Sequence, residues 1–503
     1  MSRFWRYVRL LMLVVSLSGC AMGPDFHHPE KPKSTSYTPQ PMPKRTVFAA
    51  IRHGQAQTFQ TEQQLPRQWW RLLRSPALNQ LVEDSLHANP DTAAASEAVK
   101  MAHENTKIQQ TAFFPLVTGN YNPSRQLTAG TLSSNLASNA YLYTLNTLNF
   151  NMYYMPDVLG FTRRTVETAK AQEEAQVFQC QAVYLTLAAN VVLAAVQEAL
   201  IREQIKVTRE TIQLGTHLLN LLEKQSTLGA VSQMEVASQQ AFVAQIESAL
   251  PPLELSLDVQ RHVLTSLRGV SPSYANNPTF TLDQFHLPTN LPMKLPGKLV
   301  QQRPDVRAAE ANLHAASAQI GVAIANRFPN VMIAANGGLM PVIFDTASIP
   351  LGFPMLPTGG TRYWMFAGNI LGTLFDAGSL LYQQRMAEAQ YRQAQAQYRR
   401  VVLNAFQNVA DALKAIQHDA ELLRAAVKQE LAAKQNMNIA RQQLKLGMVG
   451  QAELIQAEQF YQQALANLAQ SQANRLADTV GLFQALGGST PSSPLSHQFW
   501  LKF

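Results

Sequence analysis

Two periodicities divide the chain. Over residues 163–226 and again over 379–446, apolar side chains return every third or fourth position. Val177, Cys180, Tyr184, Leu187, Val191 and Ala194 form one seam; Tyr391, Ala394, Tyr398, Ala405, Val409, Ala412 and Ile416 form another. This spacing predicts helices that bury a narrow stripe against neighbouring helices, as in coiled coils. The first stretch holds one glycine, Gly215, and no proline; the second holds neither. Each can run on the order of 100 Å at about 1.5 Å per residue, far beyond an ordinary globular helix. Elsewhere the period drops to two. Leu148-Asn149-Phe150-Asn151-Met152 alternates, and Trp364, Phe366, Ile370 and Leu374 share one parity with Ala367, Asn369 and Thr373 between them. One apolar face and one face that tolerates Asn is the pattern of a membrane-barrel strand. Partner strands are expected to begin near Leu116 and Val331.

The pattern occurs twice. Asn89-Pro90-Asp91 opens a helical stretch that closes at Phe113-Phe114-Pro115, and Arg303-Pro304-Asp305 opens one that closes at Arg327-Phe328-Pro329, an offset of 304 − 90 = 214. Farther on, Leu228-Gly229 matches Leu446-Gly447 at an offset of 446 − 228 = 218, and Gly269 matches Gly487. Repetition at fixed offsets marks a tandem duplication. Residues 71–269 form the first repeat and 301–488 the second, around a linker at 270–300; 20–70 are a leader and 489–503 a tail. Each repeat reads helix, two strands, long helix, tight turn, helix. Two hairpins supply four strands, whereas membrane barrels have at least eight. An open sheet edge in lipid leaves backbone groups unpaired at several kcal/mol each, so at least two chains must share a barrel.

Arg3, Arg6 and Arg9 precede an apolar run, Leu10 to Leu17, too short to span a bilayer, and then Leu17-Ser18-Gly19-Cys20. This predicts a lipoprotein signal peptide over 1–19, with Cys20 carrying the lipid and Ala21 after it favouring the outer membrane. Without those arginines the net charge of +8 becomes 8 − 3 = +5 over a long chain. No Lys/Arg stripe with interleaved aromatics is present, so no nucleic-acid partner is expected. Cys180, the second of two cysteines, sits on an apolar helical stripe and is expected to be buried. No segment after the leader is an uninterrupted apolar run of about 20 residues. Gly-rich phosphate loops, Gly-x-Ser-x-Gly and paired metal-ligand motifs are absent, and His27-His28 and His103-Glu104 read as surface polar residues. No catalytic residue, metal or cofactor is expected beyond the covalent lipid.

Several motifs carry a family resemblance. Gly19-Cys20-Ala21-Met22-Gly23-Pro24-Asp25-Phe26, Trp69-Trp70-Arg71-Leu72, Ser75-Pro76-Ala77-Leu78 and Gln302-Arg303-Pro304-Asp305-Val306-Arg307-Ala308-Ala309-Glu310 resemble the NodT/OprM-like, TolC-like outer-membrane factors of resistance-nodulation-division efflux systems. Leu374-Phe375-Asp376-Ala377-Gly378 resembles that family's strand-to-helix corner, and Leu250-Pro251-Pro252-Leu253-Glu254 its interrupted helix near the equatorial domain. The resemblance implies an α+β membrane protein, a homotrimer with a 12-strand β-barrel continuous with a 12-helix periplasmic α-barrel and an equatorial domain. It implies a passive exit duct in the outer membrane, extending into the periplasm and coupled through a periplasmic adaptor to an inner-membrane pump. Two sites follow. Leu228, Gly229, Ala230, Val231 and Ser232, with Leu446, Gly447, Met448, Val449 and Gly450, are the expected adaptor-docking tips. Ala452, Glu453, Gln456 and Gln459 are the expected channel aperture; relatives often place Asp and Arg where this chain has Gln456 and Gln459, and Glu453 and Glu458 supply nearby carboxylates. The alternatives are the exit channel of a type I protein-secretion system and a structural coiled-coil lipoprotein that tethers envelope layers.

Overall fold

The computed structural model describes residues 21–30, 36–40, 42–61, 65–127, 142–274, 276–294, 296–340, 342–344 and 361–488. The expected signal peptide at 1–19, the expected lipid-bearing Cys20 and the tail at 489–503 lie outside the described residues. The elements are β1 (Thr58–Thr61), α1 (Pro76–Ala88), α2 (Pro90–Thr111), β2 (Leu116–Leu127), β3 (Leu142–Tyr154), α3 (Phe161–Thr227), α4 (Gln233–Leu267), β4 (Asn290–Met293), α5 (Pro296–Gln302), α6 (Pro304–Ala325), β5 (Asn330–Met340), β6 (Val342–Phe344), β7 (Thr361–Leu371), α7 (Ser379–Lys445) and α8 (Gln451–Ala485). The duplication is visible in helix lengths. Both α2 and α6 have 22 residues, both α3 and α7 have 67, and both α4 and α8 have 35.

The chain divides into two compact units. The first contains Met101–Glu173, Asn312–Gln395 and the described part of Met1–His27. Its centre is an antiparallel sheet in the order β2-β3-β5-β7. Strand β6 pairs β3 in the register that β5 began: Leu148 faces Leu339 and Leu145 faces Val342, so β5 and β6 follow one strand path. The sheet thus has four strand paths. Register sorts its side chains. Val117, Tyr121, Leu148, Phe150, Met152, Val331, Ile333, Trp364, Phe366 and Ile370 share one face; Thr118, Asn120, Asn149, Asn151, Asn336 and Asn369 lie on the other. The apolar face is open: Phe150 is 57% exposed and Trp364 84%. Among the described residues β2 pairs only with β3 and β7 only with β5, so two edges carry unused backbone groups.

Matching aspartates terminate the strands. Asp157 accepts N–H bonds from Thr162 (2.9 Å) and Arg163 (3.0 Å) at the start of α3. Asp376 accepts from Gly378 (2.8 Å) and Leu380 (2.7 Å) at the start of α7. The N–H groups of Leu380 and Gly378 hold the Asp376 carboxyl below the usual range. Because β7 ends at Leu371, Leu374 belongs to this corner and not to the strand with which its parity grouped it.

The second unit contains His28–Lys100, Glu174–Ala311 and Ala396–Phe503 as far as described. The predicted seams meet in its core: Leu187, Val191 and Ala194 of α3 and Ala405, Val409 and Ile416 of α7 are buried with Trp69, Phe280, Phe285, Leu291 and Phe483. An 18-residue stretch of α3 is apolar enough to cross a membrane, but 67% of it is buried within the protein. Cys180 is buried and free, and burial pushes its thiol up to about 11. The motif residue Arg303 donates to the carbonyls of Ala485 (2.9 Å) and Ala405 (3.4 Å), tying α8 to α7. Leader and linker join where β1 lies parallel to β4. Beside them Arg475 donates to His53 O (2.8 Å), Gln55 O (3.1 Å) and Gln57 Oε1 (2.8 Å), which holds this segment on α8.

The expected interruption at Pro251-Pro252 does not occur: α4 runs through both prolines. Each proline removes one i to i−4 hydrogen bond. Here Glu247, Ser248, Pro251 and Pro252 are all exposed, so water can satisfy the freed carbonyls of Glu247 and Ser248.

Candidate functional site

Two helical turns join the long helices to their shorter partners. After α3, Gly229 has φ +74°, and the N–H of Ala230 reaches back to Gln225 O at 2.9 Å. After α7, Gly447 has φ +71°, and the N–H of Met448 reaches Gln443 O at 2.9 Å. Both are left-handed helix ends that glycine adopts without a Cβ penalty. Ser232 then opens α4 with a capping box to Glu235, whereas Gly450 opens α8 without a side-chain cap. Each tip presents apolar side chains to solvent: Leu228 is 83% exposed, Leu446 74% and Met448 68%. Ala230, Ser232 and Gly450 are exposed too, and Val231 and Val449 are half-buried.

The first turns of α8 hold the other expected site. Ala452, Glu453, Gln456 and Gln459 are all exposed and share one side of the helix. Leu454 and Ala457 turn inward against Met437 and Ala440 of α7. Glu458 turns inward as well and accepts from Arg441 Nη2 at 3.1 Å. This corrects its placement among carboxylates available to an opening: it is buried and engaged, and burial raises its pKa against the pull of Arg441. Sequence reading missed the buried amide pair that links the two hairpins. Gln451 Nε2 donates to Gln239 Oε1 at 3.0 Å, and Gln239 Nε2 donates to Gly215 O at 3.0 Å. The single glycine inside α3 therefore sits at that crossing; a Cβ there would meet Val243 at 3.1 Å.

The leader is also placed. Met22 N donates to Leu159 O at 3.1 Å. Arg164 donates to Met22 O (3.0 Å), Gly23 O (3.3 Å) and Asp25 Oδ1 (2.8 Å). Phe26 stacks on His314 at 4.4 Å. Gly23 has φ +93°, and a Cβ on it would lie 2.4 Å from Gly321 Cα, so only glycine fits. These bonds hold Ala21, the residue after Cys20, beside Gly160 at the foot of β3. Of the expected surface histidines, His28 pairs with Glu310 at 2.7 Å and His103 with Glu173 at 2.8 Å.

A sheet with an apolar face, Asn-bearing on the other side, and paired helical hairpins define a TolC-like outer-membrane channel. The family model for outer membrane efflux proteins matches residues 81–270 and 295–488, and the chain belongs to that family. It is 26% identical over 487 residues to the probable efflux pump outer membrane protein TtgC of Pseudomonas putida, covering 95% of each chain. It is 28% identical over 464 residues to the pyoverdine export outer membrane protein OpmQ of the same species, covering 89% of this chain and 94% of the relative. The solved outer-membrane channel OprN superimposes with a TM-score of 0.79 at 25% identity, over 93% of this chain and 99% of that one. The protein is thus an efflux component of the outer membrane, from a family of ducts.

Proposed function

We propose that three copies form one passive exit duct, which a periplasmic adaptor couples to an inner-membrane resistance-nodulation-division pump. The observation that carries this reading is the four-path sheet with an apolar face and two unused edges. Closing both edges needs further copies, and three copies give about twelve strands, within the range of membrane barrels. Relatives named for efflux and pyoverdine export support a small-molecule cargo. The reading assigns the duct no catalysis and no nucleic-acid partner. Ala452, Glu453, Gln456 and Gln459 would ring the aperture, with amides where a charged gate is usual. Cys20 carries the lipid; the docking of Ala21 at the foot of β3 supports an anchor beside the membrane sheet. Fatty-acid labelling should mark the wild type and not Cys20→Ser; equal labelling would remove the anchor from the scheme.

The tips dock the adaptor through their exposed Leu and Met side chains. Leu228→Asp combined with Leu446→Asp replaces apolar contact by charge without touching the glycine turns. In a strain that depends on this channel, efflux of a fluorescent substrate should fall at least tenfold, while the amount of channel in the outer membrane stays within about twofold, because both positions lie on the surface and away from any packed core. Normal efflux in the double variant would move the docking surface elsewhere.

A further inference from the structure

In the second unit a groove of about 770 Å³ opens beside the C-terminal end of α8. Neither the tips nor the aperture uses it. Its volume falls within the range of about 300–1,000 Å³ typical of occupied pockets. Half-buried apolar side chains border it: Leu72, Leu86 of α1, and Tyr184 and Leu185 of α3. Leu72, Leu86 and Leu185 also pack directly on the main buried core. The groove is therefore a place where that core reaches the surface and is left half-open by the described residues. Further apolar contact there would remove more of this surface from water.

The chain itself leads into this groove. Gly487 and Gly488 line it. A Cβ on Gly488 would lie 3.2 Å from Leu185 Cδ1, so the backbone there runs along the groove wall. Lys294 pins this point: its Nζ donates to the carbonyls of Leu486 at 3.2 Å and Gly488 at 3.3 Å. The next 503 − 488 = 15 residues end in an apolar cluster. Four of the last five, Phe499, Trp500, Leu501 and Phe503, are large and apolar, and Lys502 is the only formal charge in the segment. Such a cluster is costly to leave in water. Pro491 and Pro494 disfavour a continuation of α8. Phe499 lies 499 − 488 = 11 residues beyond the pinned glycine. That length spans up to about 40 Å, so the aromatic cluster can reach any part of the groove.

We propose that residues 489–503 occupy this groove: the segment turns back from Gly488 and lays Phe499, Trp500, Leu501 and Phe503 on Leu72, Leu86 and Leu185. The tail then acts as a strap. It covers the open margin of the core and ties the end of the second repeat to α1 and α3 of the first. Its own chain is the favoured donor of the strap, because the segment starts at the groove wall. A short flexible tether holds its far end at an effective concentration of about millimolar.

Two measurements on the full chain in detergent test the strap. The first uses the wild type. Chymotrypsin should cut after Phe499, Trp500 and Leu501 at least tenfold more slowly than in a synthetic peptide of residues 489–503, because a docked segment must open before it is cleaved. Mass spectrometry of the released fragments reads both rates, and cleavage at the peptide's rate overturns the proposal. The second places a photoreactive benzophenone side chain at Ala93, an exposed residue of α2 on the rim of the groove. Irradiation should join it to residues 489–503 of the same chain, so that the product runs as a single chain on a denaturing gel. The same probe at Leu255, which is 65% exposed on α4 and does not line the groove, should not capture the segment. Phe499→Ser, Trp500→Ser, Leu501→Ser and Phe503→Ser together should reduce capture at Ala93 at least fivefold. Capture of a second chain, no capture of the segment, or capture unchanged in the serine variant overturns the proposal. The protease comparison needs no substitution and stands even if a variant folds poorly.

Discussion

Phe150→Arg should reduce folded channel in the outer membrane at least tenfold. Phe150 lies in β3 on the apolar face, between Gly119 of β2 and Gly337 of β5. Among the described residues nothing buries it, since it is 57% exposed, and in the proposed barrel its ring would meet lipid. An arginine near the middle of a barrel's lipid face costs about 2–4 kcal/mol. In a three-copy barrel that cost recurs at each symmetric position, because one substitution appears in every chain. Asn151→Arg is the control. It is the next residue in the same strand, but its side chain lies on the face with Thr118 and Asn336, and in the proposed barrel it would meet the water-filled interior. That variant should insert at close to wild-type levels. Membrane fractionation followed by heat-modifiable gel migration reads both. If the two variants insert equally well or equally badly, the faces are assigned wrongly or the sheet is not in lipid.

Much of this architecture was legible because its determinants are local. Three-four apolar spacing without a Gly or Pro to break it over 379–446 predicts one long helix, and α7 runs Ser379–Lys445. Period two in 148–152 set the faces of β3, and Leu-Gly at matched offsets set the two turns. The misses are contacts between residues far apart in sequence. Nothing near Thr58 announces that it will pair with Asn290. Nothing near Met22 announces Leu159. Glu458 was legible as a carboxylate near an expected opening, but not as the partner of Arg441, 17 residues back across a helical turn. The proline pair misled because its cost depends on which face of the helix it occupies, and exposure is a tertiary property.

One pair of acids makes the second unit sensitive to pH. Asp419 of α7 and Asp478 of α8 face each other, and burial together with the hydrogen bond and charge of Asp419 pushes Asp478 up to about 7. The Oδ2 of Asp419 is buried without a partner among the described residues, and a protonated Asp478 is a donor beside the Asp419 carboxylate. An unfolded aspartate titrates near 3.9. Between about pH 4 and pH 7 the folded chain therefore keeps a proton that the unfolded chain has lost. Stability from this pair is full below about 4, falls as pH rises through that window, and is flat above about 7.5. After discounting for solvent at a half-buried site, the loss is on the order of 2 kcal/mol. Glu198 and Glu458 are also raised by burial, and each is held by arginine, so they add a slope of the same sign. His53 and His286 are lowered and add the opposite slope. Comparing wild type with Asp478→Asn cancels these other groups. Asparagine keeps the shape and an N–H donor for Asp419 while removing the titration. The Tm of the variant in detergent should match wild type near pH 4.5 and exceed it increasingly up to about pH 7.5, by several degrees. A Tm difference that stays constant across that range would mean that the two acids do not share a proton.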